Sequence, residues 1–555
     1  MSASLTNRRI AQRLDDHAKL LEIAGENAFR ARAYSRAAEA IQDLDAPVGE
    51  LIAAGSLRSL PGVGEAIAES IEQLVASGTF AAHDELTAGY PESLLQLATV
   101  PGIGAKSVSR LYRDLHVATL DDLAAAADAG TIVVTKGLGN RVHKAAVAGL
   151  AQLAKRTGFL PLGVARALAG QFELAYLSAR PQDRIAVAGG ARRWDPLVES
   201  LAFLIATDNR DAARDAVTRL PGVESAASET DGALAVSFDD GKTAELFFTN
   251  EQSWGSALVR ATGSEAHLAR LGGIAPDLPD EEAVYGAAGL PWIPPELRSD
   301  AEAFDRLDDM PGLITLADIK GELHTHTTWS DGQATVRDMA AAAQARGYQF
   351  LGITDHSHSL AVANGLSQQR LSAQRDELAS VSEELGFPLF AGAEVEVLSN
   401  GDLDYPDAVL ARLDLVVASI HGGLRQSRGT LMERQVRTLR NPHVDILAHP
   451  SGRLLERREG GDFDWDVTFA TAAETGTALE INADPARLDL DPALARRAAA
   501  AGALITINSD SHTASGFEQE AYGVAMARKA WLRPDQVLNT WEPERVRDWL
   551  RDRKR

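Results

Sequence analysis

Nine side chains in the C-terminal part of this 555-residue chain have the types and spacing to hold divalent cations: His324, His326, Asp331, His356, Glu394, His421, His449, Asp510 and His512. Six of the 13 histidines are among them, each at or just beyond the end of a short apolar segment, whereas histidines with ordinary surface or core roles would scatter. The chain has no cysteine, so a transition-metal centre is restricted to imidazole and carboxylate ligands. In His324-x-His326, residues two apart in an extended segment point the same way, so both imidazoles can grip one ion. Imidazoles mixed with carboxylates suit Mn²⁺, Zn²⁺ or Fe²⁺ better than Mg²⁺ or Ca²⁺, which favour all-oxygen shells, and Mn²⁺ or Zn²⁺ is expected.

The segments that must position these ligands are IKGELHTH, FLGITDHSH, LFAGAEVEV, LDLVVASIH, VDILAHP, ALEINAD and LITINSDSH, with helical stretches between them. Short apolar strands alternating with helices predict a parallel barrel, and in a βα barrel the C-terminal strand ends converge on the active-site face. The first 155 residues differ: they are Ala-rich and helical in period, punctuated by LPGVGEAIAESI, VPGIGAKSVSRLY and KGLGNRVHKAAV. Each puts an apolar residue between two glycines ahead of a helix whose first N–H groups are free, a turn that lets backbone approach a phosphate. Gly62, Gly64, Gly102, Gly104, Lys106, Gly137 and Gly139 are therefore candidate phosphate contacts, with Arg110, Arg141 and Lys144 nearby. Between these regions lies a mixed segment with IAVAGGARR, LAFLIAT, ALAVSF and TAELFF as strands, closed by the Pro-rich LPWIPPELRSD.

Composition bounds the alternatives. A 45% hydrophobic and 24% charged chain of this length falls in the globular range, calls for several domains, and has no apolar run of membrane-spanning length. The opening MSASLTNRRIAQRLDDHAKLLE has helical periodicity without an apolar signal core, which predicts a cytoplasmic protein. The net charge of −23 argues against a surface that coats nucleic acid. Residues 1–160 hold 16 basic against 18 acidic residues, so nearly all of the excess lies beyond them, and non-specific DNA contact is expected in the N-terminal segment or at the cations.

The three glycine turns resemble helix-hairpin-helix elements, the third loosely because Thr135-Lys136 stands where Leu-Pro is usual. Taken with them, the middle segment resembles the palm and thumb of a bacterial family X DNA polymerase, through VAGGARR, ATGSEAH and EEAVYGAAGLPWIPPELR. That resemblance implies an Asp-x-Asp pair and a third Asp holding two Mg²⁺ ions; the corresponding positions here are Ser200, Ala202 and Glu245. Ser and Ala cannot clamp a hard dication, so polymerase activity is expected to be lost or very weak. GELHTHTTWSDG, GITDHS, AHPSGR, LEINADPARLDL and SDSH resemble the polymerase and histidinol phosphatase (PHP) domain that such polymerases carry at their C-terminus.

The second resemblance implies three divalent ions: one held by His324, His326, Glu394 and Asp510, a second reached through Glu394 by His421 and His449, and a third taken by Asp331, His356 and His512. Glu394 and Asp510 are then also catalytic, with His358, Arg425 and Arg487 as candidates for leaving-group protonation or phosphate contact. The expected architecture is multidomain α and α/β: a helix-hairpin-helix region at 1–155, a nucleotidyltransferase-like palm and thumb at 156–300, a linker at 301–318 and a distorted (β/α)7 barrel at 319–555. The function expected is a metal-dependent phosphodiesterase acting on DNA, a 3′→5′ exonuclease with 3′-end processing or abasic-site cleavage. A histidinol-phosphatase-like enzyme and an active repair polymerase with proofreading are the alternatives.

Overall fold

The computed structural model describes residues 7–553 apart from 43, 45–46, 61, 157, 231–232 and 239–240. The chain divides into two compact units, residues 1–157 and 158–555.

The first unit is all helix. Asn7–Ala24 and Ala28–Gln42 pair along their length, and Ile10, Leu14 and Leu21 pack with Ile71 and Leu74 in one core. A second core gathers Val100, Ile103, Val108 and Leu111 with Leu138, Val142 and Ala146. The three glycine motifs close as the same tight turn: Val63, Ile103 and Leu138 donate their N–H to the carbonyls of Leu60, Val100 and Thr135 at 3.1, 3.0 and 3.1 Å. Gly62, Gly102 and Gly137 carry the positive φ the turn needs, +81°, +86° and +89°, a region that side-chain-bearing residues avoid. Gly64 and Gly104 then cap helices Glu65–Ser77 and Ala105–Leu115.

In the second unit a five-stranded sheet comes first: β1 (Arg184–Val187), β2 (Leu201–Ala206), β3 (Val223–Thr230), β4 (Ala233–Phe238) and β5 (Thr243–Thr249). Its order is β1-β2-β5-β4-β3, with β2 and β5 parallel and the other pairs antiparallel. Helix Leu162–Ala179 covers one face through Leu162, Ala165, Ala169 and Phe172.

Seven parallel strands follow: β6 (Gly321–Glu322), β7 (Phe350–Ile353), β8 (Leu389–Glu396), β9 (Leu415–Ser419), β10 (Ile446–Leu447), β11 (Ala478–Asn482) and β12 (Ile505–Asn508). They pair in sequence order, as successive strand–helix crossovers require. A bridge between Thr325 and Ser511 almost closes the ring, supported by Glu322, whose carboxylate accepts from the Ser509 N–H at 2.9 Å. Residues 301–318 form short 3₁₀ turns whose Ala303, Met310, Leu313 and Ile314 are buried. One hydrophobic cluster runs without a break from Leu162 and Phe203 to Leu479 and Ile507, so sheet and barrel share a core.

Candidate metal centre

Each ligand-bearing position follows from where a strand stops. His324 and His326 leave the end of β6; His356 bridges to Glu394 within β8; His421 and His449 stand two residues beyond β9 and β10; Asp510 and His512 follow β12. Asp331 comes from a loop that a buried carboxylate ties down. Asp355 accepts from the Thr327 N–H at 2.8 Å, the Ser330 N–H at 3.1 Å and the Thr327 hydroxyl at 2.7 Å. Gly332 completes the turn, because a Cβ there would sit 2.6 Å from the His326–Thr327 peptide.

All nine side chains come together in three groups whose ligand atoms lie within 4.8 Å of one another: His324, His326 and Asp510; Glu394, His421 and His449; and His326, Asp331, His356 and His512. Glu394 stands between them. Its Oε2 is 3.4 Å from His324 Nε2, 3.6 Å from His326 Nε2 and 2.8 Å from His356 Nδ1, and its Oε1 is 3.1 Å from His449 Nε2 and 3.4 Å from His421 Nε2. The grouping differs from the sequence expectation in two respects: Glu394 falls in the group of His421 and His449 and not in that of His324, His326 and Asp510, and His326 belongs to two groups. His326 is shared, with its ring against those of both His356 and His512 at centroid distances of 4.4 and 4.2 Å while Nε2 lies 3.0 Å from Asp510 Oδ1.

Hydrogen bonding on the far side of the rings tests whether this cluster suits cations. His324 Nδ1 lies 2.8 Å from Glu480, His421 Nδ1 2.7 Å from Glu396, and His512 Nδ1 2.8 Å from the Asp510 carbonyl. Ionised carboxylates and carbonyls only accept, so Nδ1 carries the proton and Nε2 keeps its lone pair for an electrophile. His324 Nε2 and Glu394 Oε2 are buried without a hydrogen-bond partner, atoms whose desolvation a cation would offset. The residues therefore fit divalent ions.

The charges agree with this chemistry. Burial alone would raise the Glu394 carboxyl, but His356, His421 and His324 outweigh it and hold the group well below the usual carboxylate range. Asp510 is likewise lowered, burial being overcome by His324, His326 and Arg487. Burial, with His356 and His512 adding to it, pushes His326 down to about 3 and keeps it neutral. His512 is the exception: burial lowers it, but Asp331 and Asp510 outweigh burial and raise it to about 9, so that without a cation it holds a proton on both nitrogens, and binding a cation displaces the one on Nε2.

Among the other candidates, Arg487 belongs to the cluster's surroundings. Its Nε is 3.6 Å from Asp510 Oδ2, and Nε and Nη1 are buried without a hydrogen-bond acceptor. His358 and Arg425 are exposed and lie outside the three groups. Sequence reasoning missed the carboxylates behind the ligands: Glu480, Glu396, Asp355 and Glu322. Their signal was present: Glu322 and Glu396 stand two residues from His324 and Glu394, where period-two alternation puts them on the same face, Asp355 directly precedes His356, and Glu480 interrupts an apolar segment.

In the five-stranded sheet, Ser200 and Ala202 enter and begin β2, and Ala202 is registered beside Glu245 of β5. All three line one cleft of about 650 Å³, with Gly189, Gly190, Arg193, Glu199 and Arg260. Asp195, at its edge, is occupied by Lys529 at 3.0 Å and by Ser299 at 2.6 Å. In the first unit Gly62, Gly64, Gly102, Gly104, Lys106 and Gly137 are exposed and Gly139 half-buried, while Val63, Ile103 and Leu138 between them are buried. Arg110 folds over the third turn, donating to the Lys136 carbonyl at 3.1 Å.

Comparison with known proteins agrees with these regions. A helix-hairpin-helix domain model matches residues 5–80, and a PHP domain model matches residues 322–459, a span that holds seven of the nine clustered side chains and stops before Asp510 and His512. A probable phosphatase of Thermoanaerobacter sp. (strain X514) is 26% identical over 249 residues, 42% of this chain and 95% of its own length. A probable phosphatase of Syntrophotalea carbinolica is 28% identical over 234 residues, 39% of this chain and 90% of its own. The DNA polymerase/3′-5′ exonuclease PolX of Bacillus subtilis is 33% identical over 565 residues, 98% of this chain and 99% of its own. With similarity that runs through helical unit, cleft-bearing sheet and barrel alike, the chain belongs to the PolX family.

Proposed function

We propose that this enzyme is a metal-dependent phosphodiesterase that shortens DNA from its 3′ end, and that its cleft-bearing sheet no longer supports polymerisation. The observation that carries the reading is the convergence of nine imidazole and carboxylate side chains, six of them from His residues, at the C-terminal ends of one barrel. We assign them to three divalent ions, Mn²⁺ or Zn²⁺, in keeping with a shell of mixed nitrogen and oxygen donors. In this reading residues 1–155 hold DNA, 156–300 are a palm and thumb, 301–318 join them to the rest, and 319–555 hydrolyse.

Bound divalent cations supply acidified water and offset the charge that grows on phosphoryl oxygens during in-line attack. The chain's own residues do the rest. Glu394 faces all three groups, so it fixes their spacing, and Asp510 anchors the group beside Arg487. The guanidinium of Arg487, with two buried nitrogens lacking acceptors, suits a non-bridging phosphate oxygen. His358 and Arg425, exposed on segments that follow His356 and His421, are the candidates for leaving-group protonation and a further phosphate contact. DNA comes in as a partner through the glycine turns, whose exposed backbone and Lys106 offer sequence-independent phosphate contacts. The polymerase reading is opposed by Ser200 and Ala202, which leave β2 without the paired carboxylates that two Mg²⁺ ions need.

Digestion of 3′-labelled single-stranded DNA beside primer extension, each with Mn²⁺ and with EDTA, tests this. Release of labelled nucleotide with Mn²⁺ alone and no extension is expected. Extension of the primer would overturn the account of the sheet. Phosphate release from histidinol phosphate without DNA cleavage would overturn the choice of substrate.

A further inference from the structure

Glu480 lies in the middle of β11 with no exposed surface, an unusual place for a carboxylate. Its oxygens accept four hydrogen bonds: from His324 Nδ1 at 2.8 Å and the Asn508 amide at 2.9 Å on one side, and from the His449 backbone N–H at 2.7 Å and the Asn482 amide at 3.0 Å on the other. Four donors fill the capacity of an ionised carboxylate, so this is a completed site. What it connects is more informative than its burial. His324 belongs to the group with His326 and Asp510, and His449 to the group with Glu394 and His421. Asn482 carries the link further, since its amide also donates to Asp510 at 3.1 Å.

The other supports are local. Glu396 serves His421 alone among the nine, through the ring at 2.7 Å and the backbone N–H at 3.2 Å. In the outer group Asp331 and His512 keep 34% and 35% of their side-chain surface, and the His512 ring is braced by a backbone carbonyl.

Resting on the reading of these groups as cation sites, we infer that Glu480 is a positioning residue that couples two of the three sites. The sites built on His324 and His449 gain and lose their ions together, and the outer site of Asp331, His356 and His512, which shares His326 but takes no hydrogen bond from Glu480, depends on it least. One rigid acceptor sets the tautomer of His324 and the backbone position of His449, so any movement that spoils one set of ligands spoils the other.

The test is Mn²⁺ binding to the full-length, metal-stripped protein, followed by calorimetric titration and by the electron paramagnetic resonance of adjacent Mn²⁺ ions. The variants are Glu480→Gln and Glu480→Ala, with Glu396→Gln for comparison. A glutamine must turn its NH₂ toward one pair of donors whichever way the amide lies. It should therefore weaken two of the three ions together, by roughly 10- to 100-fold, with the third affected several-fold less and the spin-coupled signal lost. Glu396→Gln should weaken one ion only. If alanine leaves a hole that prevents folding, the near-isosteric glutamine decides. Unchanged affinities in Glu480→Gln, or a fall in only one, would overturn the coupling and leave the proposed function standing. Failure of the unmodified protein to take up Mn²⁺ would overturn both.

Discussion

At the scale of single residues, Glu394 concentrates the consequences. Five imidazoles approach its two oxygens within 2.8–3.6 Å, so its removal leaves a site whose remaining ligands are mostly neutral or cationic nitrogens. Glu394→Ala is expected to lower the initial rate of 3′-end digestion at saturating Mn²⁺ by about 100-fold or more, the scale of losing one principal electrostatic element of a site. Circular dichroism should show the fold unchanged, whereas Ser200→Ala, in the separate cleft, should leave digestion at the unmodified rate. In the helical unit, Lys106 is the second residue of helix Ala105–Leu115, two beyond its Gly104 cap, and is exposed. Replacing it by alanine should weaken binding to all DNA sequences alike and lower the slope of log K against log salt by about 0.7–0.9, measured by fluorescence anisotropy. Glu65, at the matching helix start of the first motif, is acidic, so that turn is expected to hold a phosphate more weakly than the second.

Elements are held by other charges. Helix Glu281–Ala287 begins with a buried carboxylate that accepts two bonds from Arg192, at 2.8 and 2.9 Å, and one at 2.5 Å from the fully buried Arg298. Burial would raise Glu281, but the hydrogen bonds of Arg192 and Arg298 outweigh it and bring the group down to about 2. A carboxyl lowered on folding stabilises above its unfolded value near 4.5 and loses that contribution as pH falls through its folded value. The shift corresponds to about 3 kcal/mol, present at pH 7 and fading between roughly pH 5 and pH 2. Glu281→Gln should therefore unfold more easily by about 3–5 kcal/mol at neutral pH, because Arg298 stays buried without its counter-charge. In denaturant melts the gap from the unmodified protein should narrow steadily toward pH 2; a gap independent of pH would show that packing, not charge, holds this helix.

Across the whole molecule, the proposed cation centre is expected to add stability as well, because its side chains, from six strand ends and a loop, meet only in the folded barrel. An ion at 100 times its dissociation constant adds about 2.7 kcal/mol per site, so EDTA should lower the melting temperature of the barrel-containing unit and Mn²⁺ should restore it. Much of this centre was legible in the linear chain. Period-two alternation and the halt of each apolar run mark where a parallel strand ends, and His or acid at those halts is a local signal; the helix-hairpin-helix turns are local too, because positive φ at Gly62, Gly102 and Gly137 is a one-residue requirement. Sequence alone therefore determined the residue types, the strand count of the barrel and the turns, but missed the edge strand Val223–Thr230 of the other sheet. Only tertiary structure decided that His326 is shared between two groups, that Glu480 stands behind both His324 and His449, and that Arg110 reaches across to the third turn. Those outcomes depend on how the barrel curls and how helices pack, distances between segments that no spacing along the chain encodes.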